Sequence, residues 1–221
     1  KMQSSRMNFP PECEQVINQT IHLNQNAALT YDHLAAVSAG EETNMPGFCK
    51  FFRLCSLRTR SLAEHWINWL TMRGGKLQVT EIKTMLPLNE MYERGVESMI
   101  SSAVEIEKKI EQQLRYIHQV ARSKGDVSTA EYIENKFLHP QLLVVRMLVD
   151  HVNCLRVSQN AYYYDRTTMM KTTKKIRHQL RRQKQTLKGT EQFRENFESV
   201  NGTTPPTKVS TLVKAFIYPI N

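Results

Sequence analysis

Glycine and proline are scarce, with 8 of each among 221 residues. That is too few for the many tight turns of a sandwich or barrel of short strands. No run approaches about 18 consecutive apolar residues, so no membrane-spanning helix is expected and no membrane partner. The 4 cysteines, Cys13, Cys49, Cys55 and Cys154, contain no C-x-x-C pair, which excludes a zinc ribbon or thioredoxin-like motif. They are also too few to staple a disulfide scaffold, so a reducing, cytoplasmic setting is expected. Cys49 and Cys55 stand too far apart on one helix to bond each other. No apolar signal-peptide core follows Lys1-Met2-Gln3. Secretion is left open, because a leader can be trimmed away. Asn18-Gln19-Thr20 and Asn201-Gly202-Thr203 match the glycosylation acceptor pattern, but the first sits inside a helical pattern, where modification is not expected, and the second, in a loop, would matter only in a secreted chain. There is no glycine-rich phosphate loop, nucleophile elbow or paired general acid and base. His65, His118, His139 and His151 never pair at i and i+4, nor with cysteine at zinc spacing, and read as surface or cap residues.

One sign of charge is missing from a whole segment. Between Arg166 and Lys188 there is no acidic residue, while nine of the chain's 30 Lys and Arg fall there. The remainder holds 21 basic groups against 21 acidic ones, a neutral body with one basic sleeve.

What is present is helical periodicity. From Glu14 the apolar positions Val16, Ile17, Ile21, Leu23, Ala27, Ala28, Tyr31, Leu34, Ala35 and Val37 recur at three- and four-residue steps. The pattern stops between Gly40 and Gly47. A second helix is predicted from Phe48 to Arg73, ended by Gly74-Gly75. The connection from Lys76 to about Glu90 carries Leu77, Val79, Ile82, Met85 and Leu88, too apolar for a solvated loop, so it should lie against the body. A third helix is expected from Met91 to Lys124 and a fourth from Ser128 to Arg156, interrupted and kinked at Pro140. Short loops make each of the pairs one–two and three–four antiparallel, whereas the long connection can cross the bundle and leave helices two and three parallel. The fold class is all-α: a four-helix bundle with one long crossover connection, the arrangement of ferritin-like folds. Two parts are expected, the bundle over residues 1–157 and a basic, partly helical C-terminal extension over 158–221.

From Cys13 to Val157 the chain resembles ferritin, in pattern nearest the animal heavy-chain type. Ile17-Asn18-Gln19 and Ile21-His22-Leu23 are similar to the opening of the family's first helix. Phe48-Cys49-Lys50-Phe51-Phe52 and Arg73-Gly74-Gly75-Lys76 resemble the start and end of its second. Ile106-Glu107-Lys108, Tyr132-Ile133-Glu134 and Asp150-His151-Val152-Asn153-Cys154-Leu155-Arg156 match signatures of the third and fourth.

The departures concern metal. A di-iron site in such a bundle needs several carboxylates and a histidine, with Glu-x-x-His setting two ligands on one helix face. No glutamate in this chain has a histidine three residues on. By the resemblance, the first-helix glutamate falls on Asn24, and the second-helix glutamate and histidine on Thr59 and Leu62. Tyr31, Glu107 and Gln141 are retained. One carboxylate, one amide and one phenol do not suffice for two ferrous ions, so the ferroxidase centre is expected to be dismantled, with no catalytic residue, no metal ligand and no cofactor. Iron would be met only through a shell or its channels. Glu107 is expected to be neutralised by Arg58 or Lys108. The family's mineral-nucleating glutamates fall on Arg58, Ser61 and Glu64, two of them lost. Glu131 and Glu134 match the acidic pair lining the threefold channel of ferritin shells.

The tail exceeds the family pattern. Tyr162-Tyr163-Tyr164 precedes Arg166, Lys171, Lys174, Lys175, Arg177, Arg181, Arg182, Lys184 and Lys188, with Met169, Met170, Ile176, Leu180 and Leu187 as a narrow apolar stripe. Such a segment attracts dense negative charge. A short helix over Glu191–Val200, a linker over Asn201–Thr207 and an apolar end from Val209 to Ile220 are expected beyond it. Two functions follow. One is a non-catalytic or structural subunit of an iron-storage shell, partnered by itself or other ferritin subunits. The other is a repurposed scaffold docked by its basic tail to an acidic filament or nucleic acid.

Overall fold

A computed structural model describes residues 6–87 and 95–182. The readings for Leu88, Glu90 and Met91, for Lys184 and Lys188, and for the segments from Glu191 onward lie outside the described residues.

Helix α1 spans Pro11–Ala39, with proline in its first turn and Glu12 and Glu14 close to the positive end of its dipole. Helix α2 runs over Pro46–Met72 and ends where Gly74, at φ +73°, lets the Gly75 N–H reach back to the Leu70 carbonyl at 2.9 Å. Helix α3 is Gly95–Ser123 and α4 is Val127–Ile133, capped by Asp126, whose carboxylate accepts from the Thr129 N–H. A π turn over Glu134–Leu138 leads directly into α5, His139–Ser158. Pro140 therefore does not break the fourth segment. It follows a widened turn, which accommodates a residue that has no N–H to donate and whose ring would crowd the carbonyl four residues back. Gln159, at φ 51°, ends α5.

The four long segments close on one apolar core in which Trp66, Tyr31, Phe48, Phe51 and Phe52 are fully buried. Tyr31 meets Ala103 and Glu107, Thr20 meets Gln113 and Ser38 meets Met99, so α3 runs antiparallel to α1 and parallel to α2. The crossover is as expected, and its fastening is specific. Asn18, His22, Asn26 and Thr30, one turn apart on α1, bond the connection at Lys76 and Gln78, Thr80, Lys83 and Met85 in order, at 2.8–3.1 Å. The apolar side chains predicted to press it inward do so only in part. Met85 and Leu86 pack on the core, whereas Leu77, Val79 and Ile82 are exposed. Side-chain hydrogen bonds, four of these five to the connection's backbone, hold this segment, and its outward side is left free to be apolar.

Residues 159–182 do not hang off the bundle. Helix α6 (Ala161–Tyr164), a π turn over Asp165–Met169 and helical residues 170–182 continue it. Met169 and Ile176 belong to the same core as the four long helices.

Candidate functional site

At mid-bundle, where α1, α2, α3 and α5 face one another, sits a buried polar cluster. Glu107 of α3 is its centre. Its Oε2 receives Arg58 Nη1 of α2 at 2.9 Å and Gln141 Nε2 of α5 at 2.7 Å, and its Oε1 receives the Tyr31 hydroxyl of α1 at 2.9 Å. Arg58 Nη2 also donates to Gln141 Oε1 at 2.5 Å, and Gln141 Nε2 to the Glu107 carbonyl at 2.9 Å. The Arg58 and Glu107 side chains are 3 % and 1 % exposed, so the ion pair is fully out of water. Each helix supplies one residue because positions 31, 58, 107 and 141 all fall on core-facing stripes.

Burial, and then the nearby Glu107 charge, push the Tyr31 phenol well above its ordinary range, so it stays a donor. The Cys55 thiol is raised for the same two reasons, in the same order, and stays protonated. The three substituted positions are also inside. Asn24 donates to the Thr20 carbonyl at 2.8 Å, Thr59 bonds back to the carbonyls of Cys55 and Ser56 at 3.0 Å, and Leu62 is buried. Among the described residues, Asn24 Oδ1 accepts no hydrogen bond.

The retained triad Tyr31, Glu107 and Gln141 is thus brought together, and the expected ion pair is formed by Arg58. Lys108 pairs instead with Glu105 on the exposed face of α3. Of the three positions on which the family's mineral-nucleating glutamates fall, Arg58 is buried, Ser61 half-buried and Glu64 exposed. The long stem of Arg58 carries its charge inward to the Glu107 carboxylate.

As a site for iron the cluster is poorly furnished. Glu107 is its only carboxylate, the neighbouring side chains are amide, phenol, hydroxyl and alkyl, and a guanidinium stands at the carboxylate already. A ferrous pair needs several hard anionic oxygens. Among the described residues no three His, Cys, Asp or Glu side chains are grouped to hold a metal.

At the α3–α4 end, Glu131 and Glu134 are both exposed and line one surface hollow with Arg122, Gly125, Val127 and Ala130. Glu134 Oε1 lies 2.5 Å from His118 Nε2 and 3.7 Å from Arg122 Nη2. His118, read as a plain surface histidine, is thus part of this acidic patch. Its i, i+16 relation to Glu134 leaves no local spacing to find it by. The cations from Arg166 to Arg182 are exposed along the C-terminal helix.

The fold and the mid-bundle cluster define a four-helix bundle with one crossover connection and a buried ion pair at its centre. A family model described as the ferritin-like domain matches residues 14–157. The middle subunit of Salmo salar ferritin is 27 % identical over 74 % of this chain and 95 % of its own length. Soma ferritin of Lymnaea stagnalis is 30 % identical over 75 % of this chain and 95 % of its own. A chloroplastic ferritin of Malus baccata var. xiaojinensis is 31 % identical over 69 % of this chain and 61 % of its own. The chain belongs to the ferritin family. Among the described residues no helix is long and apolar enough to cross a membrane.

Proposed function

We propose that this chain is an iron-storage shell subunit that does not itself oxidise iron, assembling with copies of itself or with other ferritin subunits. The observation that carries the reading is the Arg58 guanidinium 2.9 Å from Glu107 Oε2, in the pocket where the family places its iron. Ferrous iron is the substrate of that pocket in a catalytic subunit, and an arriving cation here meets a resident one. At about 4 Å two unit charges in a low-dielectric site repel by several kcal/mol. Both oxygens of the Glu107 carboxylate already accept hydrogen bonds, Oε1 from Tyr31 and Oε2 from Arg58 and Gln141. The chain's own chemistry at this position is structural: Arg58 replaces metal charge with fixed charge, and the four helices are tied together without a ligand. Glu131 and Glu134 support the shell reading as lining for a channel through which iron passes, beside His118 and Arg122.

Aerobic oxidation of Fe(II) followed at ultraviolet wavelengths tests this. The purified protein should oxidise iron no faster than a protein-free control, and light scattering should give a mass many times that of one chain, alone or on co-assembly with a catalytic ferritin subunit. A fast oxidation phase proportional to protein concentration would overturn the absence of catalysis. A monomer under both assembly conditions would overturn the shell.

A further inference from the structure

The C-terminal helix carries a face that neither the bundle nor the central cluster uses. Asp165, Met169, Thr173 and Ile176 are each exposed by 1 % or less, and Leu180 packs partly against the same core. They recur at three- and four-residue steps and form one narrow buried stripe. The seven cations from Arg166 to Arg182 are all exposed. At 3.6 residues per turn and 1.5 Å per residue they spread over about half the helix circumference and along about 24 Å.

This helix is fastened, which separates it from an ordinary basic tail. The Asp165 carboxylate accepts the Gly47 and Phe48 N–H groups at 3.0 and 2.7 Å, filling free donors of α2's first turn. A Cβ on residue 47 would stand 2.6 Å from both the carbonyl and a carboxylate oxygen of Asp165, so glycine permits the approach. Tyr164 bonds His151 Nδ1 at 2.8 Å and packs on Phe48 at 6.3 Å. The cations are therefore displayed on a pre-ordered rod, and little ordering entropy opposes binding.

We infer that this face grips the phosphate backbone of nucleic acid without reading its sequence. A helix that lies on a membrane must turn its apolar stripe to the lipid, and here that stripe is buried in the bundle. Protein interfaces centre on aromatic and aliphatic anchors and are depleted in lysine. Among these cations stand instead Thr167, Thr168, Thr172 and His178. Nucleic acid offers what the array lacks, closely and regularly spaced anions, about one per 1.7 Å of duplex. The arginine fork matches phosphate geometry. At one end Tyr162 and Tyr163 are 57 % and 63 % exposed, with the Arg166 guanidinium 5.1 Å from the Tyr162 ring. Such rings stack on unpaired bases. The inference is independent of the storage reading.

Fluorescence anisotropy of the full chain tests it, with a labelled mixed-sequence oligonucleotide as single strand and as duplex. Both should bind at low salt. If about four phosphates are neutralised, affinity should fall about 100-fold between 50 and 200 mM salt. The exposed-site variant K171Q/K174Q/K175Q/R177Q should keep its helical circular dichroism, bind at least tenfold more weakly and show a flatter salt dependence. K108Q/K109Q, on the exposed face of α3, should bind as the parent does. No binding at low salt, binding indifferent to salt, or an unaltered quadruple variant would overturn the proposal. Tighter binding of polyglutamate or of phosphatidylserine vesicles than of either oligonucleotide would overturn it too, and would give the face to an acidic protein or a membrane surface.

Discussion

Among the described residues, one arginine–carboxylate pair is fully buried and another largely so, and they are built differently. At mid-height, Arg58 and Glu107 meet across two helices, with Tyr31 and Gln141 of two more completing the cluster. At the α2–α4 end, Arg73 meets Asp126 at 2.9 Å with side-chain exposures of 12 % and 1 %. There the carboxylate also accepts the Thr129 N–H and hydroxyl, at 3.2 and 2.6 Å, as the cap of α4. Arg73 lies 5.0 Å from the Phe9 ring and 5.6 Å from the Trp69 ring. The end pair finishes helix termini that need finishing in any sequence. The central pair finishes nothing local. It exists because a carboxylate persists inside the core, and the guanidinium is what makes that carboxylate tolerable.

The comparison breaks first at Arg58. Arg58→Met leaves Glu107 buried with neutral donors alone, and should lower stability in urea unfolding by about 3–5 kcal/mol. Adding Glu107→Gln should restore most of that loss, since the charge in need of a partner is gone. A double variant as unstable as the single would mean that packing, not charge, holds the cluster.

A third buried polar contact has no ion-pair partner and is sensitive to pH. His151 is 8 % exposed, with Nδ1 on the Tyr164 hydroxyl and its ring edge-on to Phe51 at 5.7 Å. Burial lowers its pKa to about 4, partly opposed by Asp150. The folded state therefore prefers neutral imidazole, whereas the unfolded chain protonates near 6.5. Between those values the unfolded state binds more protons, so stability falls as pH drops from about 6.5 to 4, by on the order of 3 kcal/mol at the lower limit. In His151→Gln the slope of stability with pH over that window should be shallower by this amount. An unchanged slope would remove His151 from the account.

Arg73→Met sharpens the contrast with Arg58→Met. Asp126 keeps both Thr129 donors, and Arg73 is partly wet, so the expected loss is about 1.5–3 kcal/mol. Equal losses for the two methionine variants would mean that the central and terminal pairs are energetically alike.

The bundle was legible because its core is written in three- and four-residue steps, and the retained Tyr31, Glu107 and Gln141 were legible from family resemblance. The need of a buried Glu107 for a cation was legible too, with Arg58 and Lys108 both in reach along the string, but not that Arg58 rather than Lys108 meets it. What escaped were contacts made by side chains reaching sideways to distant backbone. The ladder Asn18, His22, Asn26, Thr30 reads as a solvated stripe until a connection is laid on it. Asp165 looks like the last acid before a basic run, yet its partners lie 117 and 118 residues away. Periodicity reports which face is buried, and is silent about which backbone ends that face will cap.

The smallest effect marks the lower bound of the comparison. Arg156 and Glu97 bridge α5 and α3 at 2.6 Å, shorter than the 2.9 Å of the Arg58 and Arg73 pairs, but with side chains 57 % and 53 % exposed. Water already solvates both charges when they part, and two long side chains lose rotamer freedom when they meet. Arg156→Gln should therefore change stability by less than about 1 kcal/mol, and the change should shrink further at high salt. If it matched the loss at Arg73, distance alone would set the strength of ion pairs in this bundle, and burial would not be what distinguishes Arg58.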